Sequence, residues 1–213
     1  MSFSLIRIRA AAYGLRGRAG LVLLGSLICL VFLSCGGGAQ KGQDSSGVPA
    51  TKPAPAHSKD QVHWTFEPDA IELRVYARNN LNTYNGYPHA TMLCLYQLKK
   101  PGAFQKRASS KSGIRELLQC QSFDPSVAQS HRMFIQPGQN RTKMLDRAEK
   151  ARHVGVAAGY SALVPGHVTR LYHIPIQNKE SGMFWWSQNN YTPGKLTMQL
   201  LFGAHSIQRV GER

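Results

Sequence analysis

The sequence predicts a mainly β protein, an antiparallel two-sheet β-sandwich with a small helical insertion. Several short runs alternate apolar and polar residues, which is the pattern of half-buried strands. Pro-Gly pairs at 137–138, 165–166 and 193–194 separate the later runs and are typical of turns. Regularly spaced strands divided by turns indicate a sandwich rather than a helical or α/β fold.

Each element follows from the local pattern. Residues 71–78 alternate as a half-buried strand does, and residues 90–98 are apolar on both faces, so that strand should be covered on both sides. Residues 104–118 favour two short helices because Ser and Gly interrupt them at 109–113. Further strands are expected at 131–136, 142–145, 153–160, 169–177 and 195–204.

The first two strands flank a distinctive connection, residues 79–89, which we call the first loop. It holds four Asn, one Gly and one Pro, interrupted by Leu81, Tyr84 and Tyr87. Asn and Gly accept the positive φ of tight turns. The loop is too long for a simple hairpin, and loops on a rigid sandwich are where binding residues tend to lie. The alternative is an ordinary surface connection.

Residues 1–34 predict a signal peptide. Residues 1–18 contain four Arg and no acid, and the next 16 residues, 19–34, are apolar or small. A membrane-spanning helix needs about 20 such residues, so a signal-peptide core fits better. The alternative is an uncleaved signal anchor.

The segment Phe32-Leu33-Ser34-Cys35 resembles a bacterial lipobox. The resemblance implies that Cys35 becomes the mature N-terminus and carries a diacylglycerol and an N-acyl chain. Phe32 and Leu33 depart from the pattern, which prefers Leu and then a small residue. Gly36 rather than Asp after the Cys implies the outer membrane.

Residues 35–60 are expected to form the lipidated Cys and a flexible tether, and residues 61–213 the folded domain. The tether is rich in Gly, Ser, Pro, Ala and Lys and has no hydrophobic periodicity. Its r.m.s. reach is roughly 25–30 Å.

The chain is basic, with 26 Lys and Arg against 11 Asp and Glu. Removing the four Arg of residues 1–34 leaves 22 basic against 11 acidic residues. Such a charge favours anionic head groups, acidic polymers or an acidic partner, and solubility is the plainer explanation. The basic residues are scattered without a nucleic-acid-binding motif, so no nucleic-acid partner is expected.

No catalytic or metal site is predicted. The sequence lacks the His-Glu-x-x-His, Gly-x-Ser-x-Gly and phosphate-loop motifs. His167 and His173 have no Cys, Asp or Glu beside them. Asp124 and Asp146 are expected in turns or caps, and residues 146–152 in a solvated turn or a short helical stub, with a contact surface as the alternative. Trp185 and Trp186 are expected on a strand with one ring in the core.

Cys94 and Cys120 are the two cysteines of the predicted domain. An oxidising periplasm permits a bridge between them, which would contribute roughly 3–4 kcal/mol across its 26-residue spacing. Two buried free thiols are the alternative, and the sequence leaves both open.

Several blocks then carry a family resemblance. They are Leu81-Asn82, Tyr84-Asn85-Gly86, the run from His89 to Leu98, and the segments 123–127, 136–138, 145–149 and 151–160. In this order they resemble the type VI secretion lipoprotein family TssJ (VasD-like) over roughly residues 66–165. Each block is weakly specific alone, and their order makes the resemblance strong.

The resemblance implies a transthyretin-like sandwich in a non-enzymatic lipoprotein subunit of the type VI secretion membrane complex. The protein would lie on the periplasmic face of the outer membrane and be monomeric as an isolated domain. Its implied partner is the periplasmic C-terminal domain of TssM, the IcmF-like subunit, within a complex with TssL.

In this family the loop between the first two strands makes the TssM contact. Carried onto this chain, the contact residues are Asn80, Leu81, Asn82, Thr83, Tyr84, Asn85 and Gly86. Leu81 and Tyr84 are expected to be the apolar contacts, while Asn82, Asn85 and Gly86 shape the loop. The alternative function is a periplasmic lipoprotein that binds a small ligand or cell-wall glycan, and it predicts a loop folded over a pocket.

Overall fold

The computed structural model describes residues 55–182, 185 and 187–209. The predicted signal peptide, Cys35 and most of the predicted tether lie outside the described residues. No described helix is long and apolar enough to cross a bilayer. The elements are a 3-10 helix (Lys59–Gln61), β1 (Glu67–Ala77), β2 (Thr91–Leu98), α1 (Gly102–Ala108), α2 (Lys111–Leu117), β3 (Val127–Ile135), β4 (Asn140–Arg147), β5 (His153–Ala158), β6 (Thr169–His173), β7 (Ile176–Ser181), β8 (Gln188–Pro193), β9 (Leu196–Phe202) and β10 (Ile207–Arg209).

Two four-stranded sheets form the sandwich, in the orders β10-β9-β1-β4 and β3-β2-β5-β6. This confirms the predicted fold class. β7 and β8 form a separate two-stranded sheet. One pairing departs from the antiparallel expectation, because β1 and β9 run parallel, with Ile71 opposite Leu196. Most of the chain lies between these two strands, so no short hairpin turn forces them to be antiparallel.

The main core lies between the two sheets. The alternation predicted for β1 is confirmed, with Ile71, Leu73 and Val75 buried. Leu93 and Leu95 of β2 belong to the same hydrophobic cluster. Successive side chains of a strand point to opposite faces, so the intervening residues of β2 face away from this core.

A second core covers the other face of β2, as predicted. Cys94, Tyr96 and Leu98 pack there with Phe104 of α1 and Leu117 of α2. Gly155 admits the Phe104 ring, since a Cβ at this position would lie 2.6 Å from it. The helical insertion is therefore fixed to the sandwich by its own apolar cluster.

The prediction of two short helices is confirmed, but the interruption is shorter than expected. Ser110 precedes α2, and its hydroxyl accepts a hydrogen bond from the Gly113 amide at 3.1 Å. This N-cap allows α2 to begin at Lys111. Gly113 therefore lies inside the helix, where its missing Cβ leaves room for the Arg107 backbone.

The predicted strand 169–177 was wrong in extent and is two strands, β6 and β7. β6 ends at His173 and β7 begins at Ile176, with Pro175 between them. Proline cannot donate a ladder hydrogen bond, which favours a break at this point. Trp185 lies in the turn between β7 and β8 rather than on a strand, and Trp186 falls outside the described residues.

The described fold begins before residue 61, inside the predicted tether. Ala56 is buried and pairs with Tyr191 of β8. The Ala56 amide donates to the Tyr191 carbonyl at 3.1 Å, and the Tyr191 amide donates to the Ala56 carbonyl at 2.7 Å. The tether is thus fastened to the β7–β8 hairpin where it enters the domain.

Arg147 corrects the prediction that residues 146–152 form a solvated turn. Its side chain is fully buried, with an ion pair to Glu67 at 2.9 Å and a hydrogen bond to the Thr65 carbonyl at 3.0 Å. Its guanidinium lies 5.7 Å from the centre of the Trp64 ring. Burial lowers the pKa of Arg147, and Glu67 opposes that effect.

The two aspartates differ in position. Asp124 accepts a hydrogen bond from the Ser126 amide at 2.8 Å, which confirms the predicted turn role. Asp146 lies within β4 rather than in a turn and accepts from the Asp69 amide at 3.0 Å. Asp69 has a φ of 50° at the irregular point in the β1–β4 register.

Candidate partner-binding loop

The first loop crosses from one sheet to the other at one end of the sandwich, since β1 and β2 belong to different sheets. Its base is bonded to the chain that follows β9. The Asn82 amide donates to the Gly203 carbonyl at 3.3 Å, and the Thr83 amide to the Ala204 carbonyl at 3.0 Å. A further bond from the His89 amide to the Leu81 carbonyl, at 3.0 Å, closes the base.

Leu81 requires a correction. Its side chain has no exposed surface and belongs to the main core. In this conformation Leu81 cannot touch a partner. It instead ties the polar loop to the sandwich, because burying a leucine contributes about 1.5–3 kcal/mol.

Asn82 is also buried, and its side chain makes hydrogen bonds within the domain. Its Oδ1 accepts from the Ser161 amide at 2.8 Å, and its Nδ2 donates to the Ala90 carbonyl at 3.4 Å. Its φ is 46°, a left-handed conformation that asparagine tolerates better than most residues. The side chain therefore connects the loop to the chain beyond β5 and to the start of β2.

The tip is a tight turn at Asn85 and Gly86. Tyr84 and Tyr87 exchange two backbone hydrogen bonds, of 2.9 and 3.0 Å. The φ values of 49° at Asn85 and 83° at Gly86 are both positive, as a type I′ turn requires. Both turn residues are exposed, and a Cβ at Gly86 would meet nothing within 4 Å.

Two aromatic side chains flank this turn. Tyr84 is 57% exposed and Tyr87 is 72% exposed. The Tyr84 ring packs edge-on against His89, with 6.3 Å between the ring centres. Tyr87 was missed as a candidate contact, although its position mirrors that of Tyr84 across the Asn-Gly pair.

The remaining predicted contacts lie beside the tip. Asn80 is exposed and Thr83 is half-buried. The Thr83 hydroxyl donates to the Asn80 carbonyl at 2.7 Å. The predicted set thus divides into a buried pair, Leu81 and Asn82, and an accessible group around Tyr84.

One cavity on the surface of the described fold lies away from the first loop. It is an open depression of about 310 Å³ between α1 and the start of β6, lined by Phe104, Gln105, Ala108, Ser109, Pro165, Gly166, Thr169, Arg170 and Leu171. None of these residues belongs to the loop. Within the described part of the chain, no group of three His, Cys, Asp or Glu is placed to hold a metal ion.

The two cysteines meet beneath the helical insertion. Cys94 and Cys120 form a disulfide with Cα atoms 5.2 Å apart, which joins β2 to the end of the α2 segment. Tyr96 lies beside it and donates from its hydroxyl to the Leu117 carbonyl. Burial raises the pKa of Tyr96 to about 12. The bridge lies behind the sandwich face and supplies no atom to the loop tip.

The described chain is thus a two-sheet β-sandwich with an exposed aromatic loop held at one end. A family model described as "Type VI secretion lipoprotein, VasD, EvfM, TssJ, VC_A0113" matches residues 69–200. The chain belongs to this family, as the sequence blocks predicted. Family membership makes it a membrane-anchored lipoprotein of the type VI secretion system.

Solved structures share the fold at low sequence identity. The chain is similar to Serratia marcescens Lip, a membrane-bound component of the type VI secretion system, with 18% identity and a TM-score of 0.50 over 67% of this chain and 98% of that one. It is also similar to the lipoprotein TssJ1 from Pseudomonas aeruginosa, with 20% identity and a TM-score of 0.49 over 70% and 97% of the two chains. No curated protein sequence matches the chain.

Proposed function

We propose that this protein is the outer-membrane lipoprotein subunit of a type VI secretion membrane complex and docks the periplasmic C-terminal domain of TssM through its first loop. The observation that carries the proposal is an exposed aromatic turn, Tyr84 to Tyr87, on a base bonded to the sandwich. The role is mechanical and non-catalytic. TssM would in turn lie in a complex with TssL.

Preorganisation is the physical reason for choosing this loop. Ordering a flexible loop on binding costs affinity, and here the bonds of Asn82, Thr83 and His89 already fix the base. Tyrosine gives a large contact area with few rotatable bonds. Tyr84 and Tyr87 are therefore the side chains best suited to anchor a partner, in place of Leu81.

The anchor would be the lipid on Cys35. A single acyl chain binds a membrane only marginally, so the diacylglycerol and N-acyl chain together make the attachment stable. The tether lets the domain reorient at the periplasmic face of the outer membrane, and confinement there raises its effective concentration for TssM. The domain itself would act as a monomer.

The small-ligand or cell-wall-glycan function predicts a loop that closes over a pocket. The open depression between α1 and β6 includes no residue of the first loop. The tip instead presents Tyr84 and Tyr87 to solvent. This geometry favours a protein-docking loop.

A binding titration of the full chain with the TssM C-terminal domain tests the proposal. The Tyr84→Ala, Tyr87→Ala double variant is compared with Phe66→Ala, since Phe66 is 57% exposed before β1 and so matches Tyr84 in exposure. An interface aromatic contributes about 2 kcal/mol or more, so the double variant should bind at least about 30-fold more weakly. Phe66→Ala should bind as wild type does. Equal binding by all three proteins would contradict the loop assignment.

A further inference from the structure

We propose that the tip of the β7–β8 hairpin, which carries Trp185, inserts into the interfacial region of the bilayer that holds the lipid anchor. The hairpin forms its own two-stranded sheet beside the sandwich. Trp185 in its turn is 90% exposed. This inference uses membership of the lipoprotein family and does not depend on the partner of the first loop.

The sequence that connects the two strands of the hairpin is apolar, whereas most of the strand residues are polar. Ile176 and Tyr191 pack against the main core at the base of the stem, and the rest of the stem is polar, with residues 177–181 and 188–189 exposed. Between Gly182 and Ser187 the sequence is Met-Phe-Trp-Trp. A strand that docks a protein pairs its side chains with pockets along its length. A polar stem with a tryptophan-containing end fits a membrane interface instead, because tryptophan places an apolar ring and a polar N–H at the head-group level.

The hairpin is also the part of the fold to which the anchoring segment is attached. Ala56 exchanges two backbone hydrogen bonds with Tyr191. Cys35 lies 56 − 35 = 21 residues earlier, an r.m.s. distance of about 25 Å for a flexible chain. From Tyr191 to the turn is about five residues, or about 17 Å along the strand. The expected tether is therefore long enough for the proposed lipid anchor and the tip to reach one bilayer.

The hairpin and the first loop leave opposite ends of one sheet. β8 ends at Pro193, and β9 begins at Leu196. At its other end β9 stops at Phe202, next to the Gly203 carbonyl that holds the loop. Its seven residues span about 20 Å. The base of the hairpin therefore lies at the end of this sheet away from Tyr84 and Tyr87.

The overall charge supports a lipid surface. Without residues 1–34 the chain carries 22 basic and 11 acidic residues. Basic residues near a membrane surface are attracted to anionic head groups. The attraction would favour the approach of the domain, and Trp185 would add the apolar contact.

Fluorescence quenching tests the insertion. The lipidated full chain is reconstituted in phosphatidylethanolamine–phosphatidylglycerol vesicles with or without brominated acyl chains, and only protein that floats with the vesicles is measured. The Trp186→Phe variant keeps Trp185 and the buried Trp64. The fluorescence of the Trp185→Phe, Trp186→Phe variant comes from Trp64 alone. Subtracting it from the fluorescence of the Trp186→Phe variant gives the fluorescence of Trp185. Brominated lipid should remove most of this contribution, and aqueous acrylamide should not.

The matched control moves the probe to the other end of the sheet. A Trp185→Phe, Trp186→Phe, Tyr87→Trp variant places the indole ring at the tip of the first loop, where Tyr87 is 72% exposed. Acrylamide should quench it and brominated lipid should not. The proposal is overturned if brominated lipid leaves the Trp185 contribution unchanged, or if it quenches both probes alike. Protection of Trp185 only after addition of the TssM domain would assign the tip to a protein and would also overturn the proposal.

Discussion

The first loop and the β7–β8 hairpin both end in exposed aromatic residues, but their supports differ. Hydrogen bonds link the loop to the ends of β5 and β9, and Leu81 fixes it in the main core. The hairpin's hydrogen bonds connect its two strands to each other and to Ala56. The first loop therefore has a fixed shape, whereas the hairpin carries its tip on a stem that is mostly polar.

The difference indicates what each tip can recognise. A protein surface has a defined shape, so a preorganised loop gains affinity by avoiding the cost of ordering. A bilayer has no fixed shape at the atomic scale, and an inserted side chain gains mainly from burial and from its interfacial polar group. These properties support the two proposals, in which the first loop binds TssM and the tip of the hairpin enters the bilayer.

The largest expected effect is at the buried support of the loop. Leu81→Ala should lower the free energy of unfolding by about 2–5 kcal/mol, because it removes a fully buried side chain and leaves a cavity. Chemical denaturation measures this. TssM binding should weaken as well once the loop base loosens, although Leu81 touches no partner. A near-neutral Leu81→Ala variant would mean that the loop is not built on the core.

Removing the disulfide should affect stability without affecting either tip. The Cys94→Ala, Cys120→Ala variant is expected to lose about 3–4 kcal/mol in the free energy of unfolding, from the loop-entropy estimate for a separation of 26 residues. Thermal melts with and without reductant should show the same loss for wild type. TssM affinity should stay unchanged, and a large loss of affinity in the folded variant would show that the insertion takes part in docking.

Two asparagines give a matched comparison between the loop and the hairpin. Asn82→Ala should cost about 1–3 kcal/mol in unfolding free energy, since it removes two part-buried hydrogen bonds, to the Ser161 amide and the Ala90 carbonyl, worth about 0.5–1.5 kcal/mol each. Asn178→Ala removes an exposed hydrogen bond to Asn189 and should change stability by less than about 0.5 kcal/mol. Equal costs for the two variants would remove the contrast in rigidity.

The smallest expected effect is a pH dependence at the hairpin end. Burial lowers the pKa of His153 below its ordinary 6.5, and His173 and Arg152 lower it further. The unfolded chain therefore takes up a proton first, so stability is complete above about pH 6.5 and falls as the pH drops below it. Denaturation at several pH values should show a shallower slope for His153→Gln, and an unchanged slope would contradict this assignment.

The sequence predicted the sheets and the loop better than it predicted burial within the loop. Alternation identified β1, a run that is apolar on both faces identified β2, and the turn-forming residues at 79–89 identified the loop between them. Leu81 was predicted as a contact because the family's partner-binding loop was carried onto residues 79–89 as a whole. Its burial depends on core residues contributed by distant strands, which no local pattern encodes.

The β7–β8 hairpin was missed for a related reason. Its strands are polar on both faces, so they lack the alternation that marks a half-buried strand. Arg147 was likewise assigned to a solvated turn, since its partner Glu67 lies 80 residues earlier in the chain. Both errors concern polar residues whose role is set by tertiary contacts.

The most direct measurement of the two-ended arrangement is photocrosslinking in intact cells that make the full chain and TssM. A photoreactive residue is placed at Tyr84 in one protein and at Trp185 in another. The account predicts a crosslink to TssM from position 84 and labelling of lipid from position 185. A TssM crosslink from position 185 with none from position 84 would contradict it.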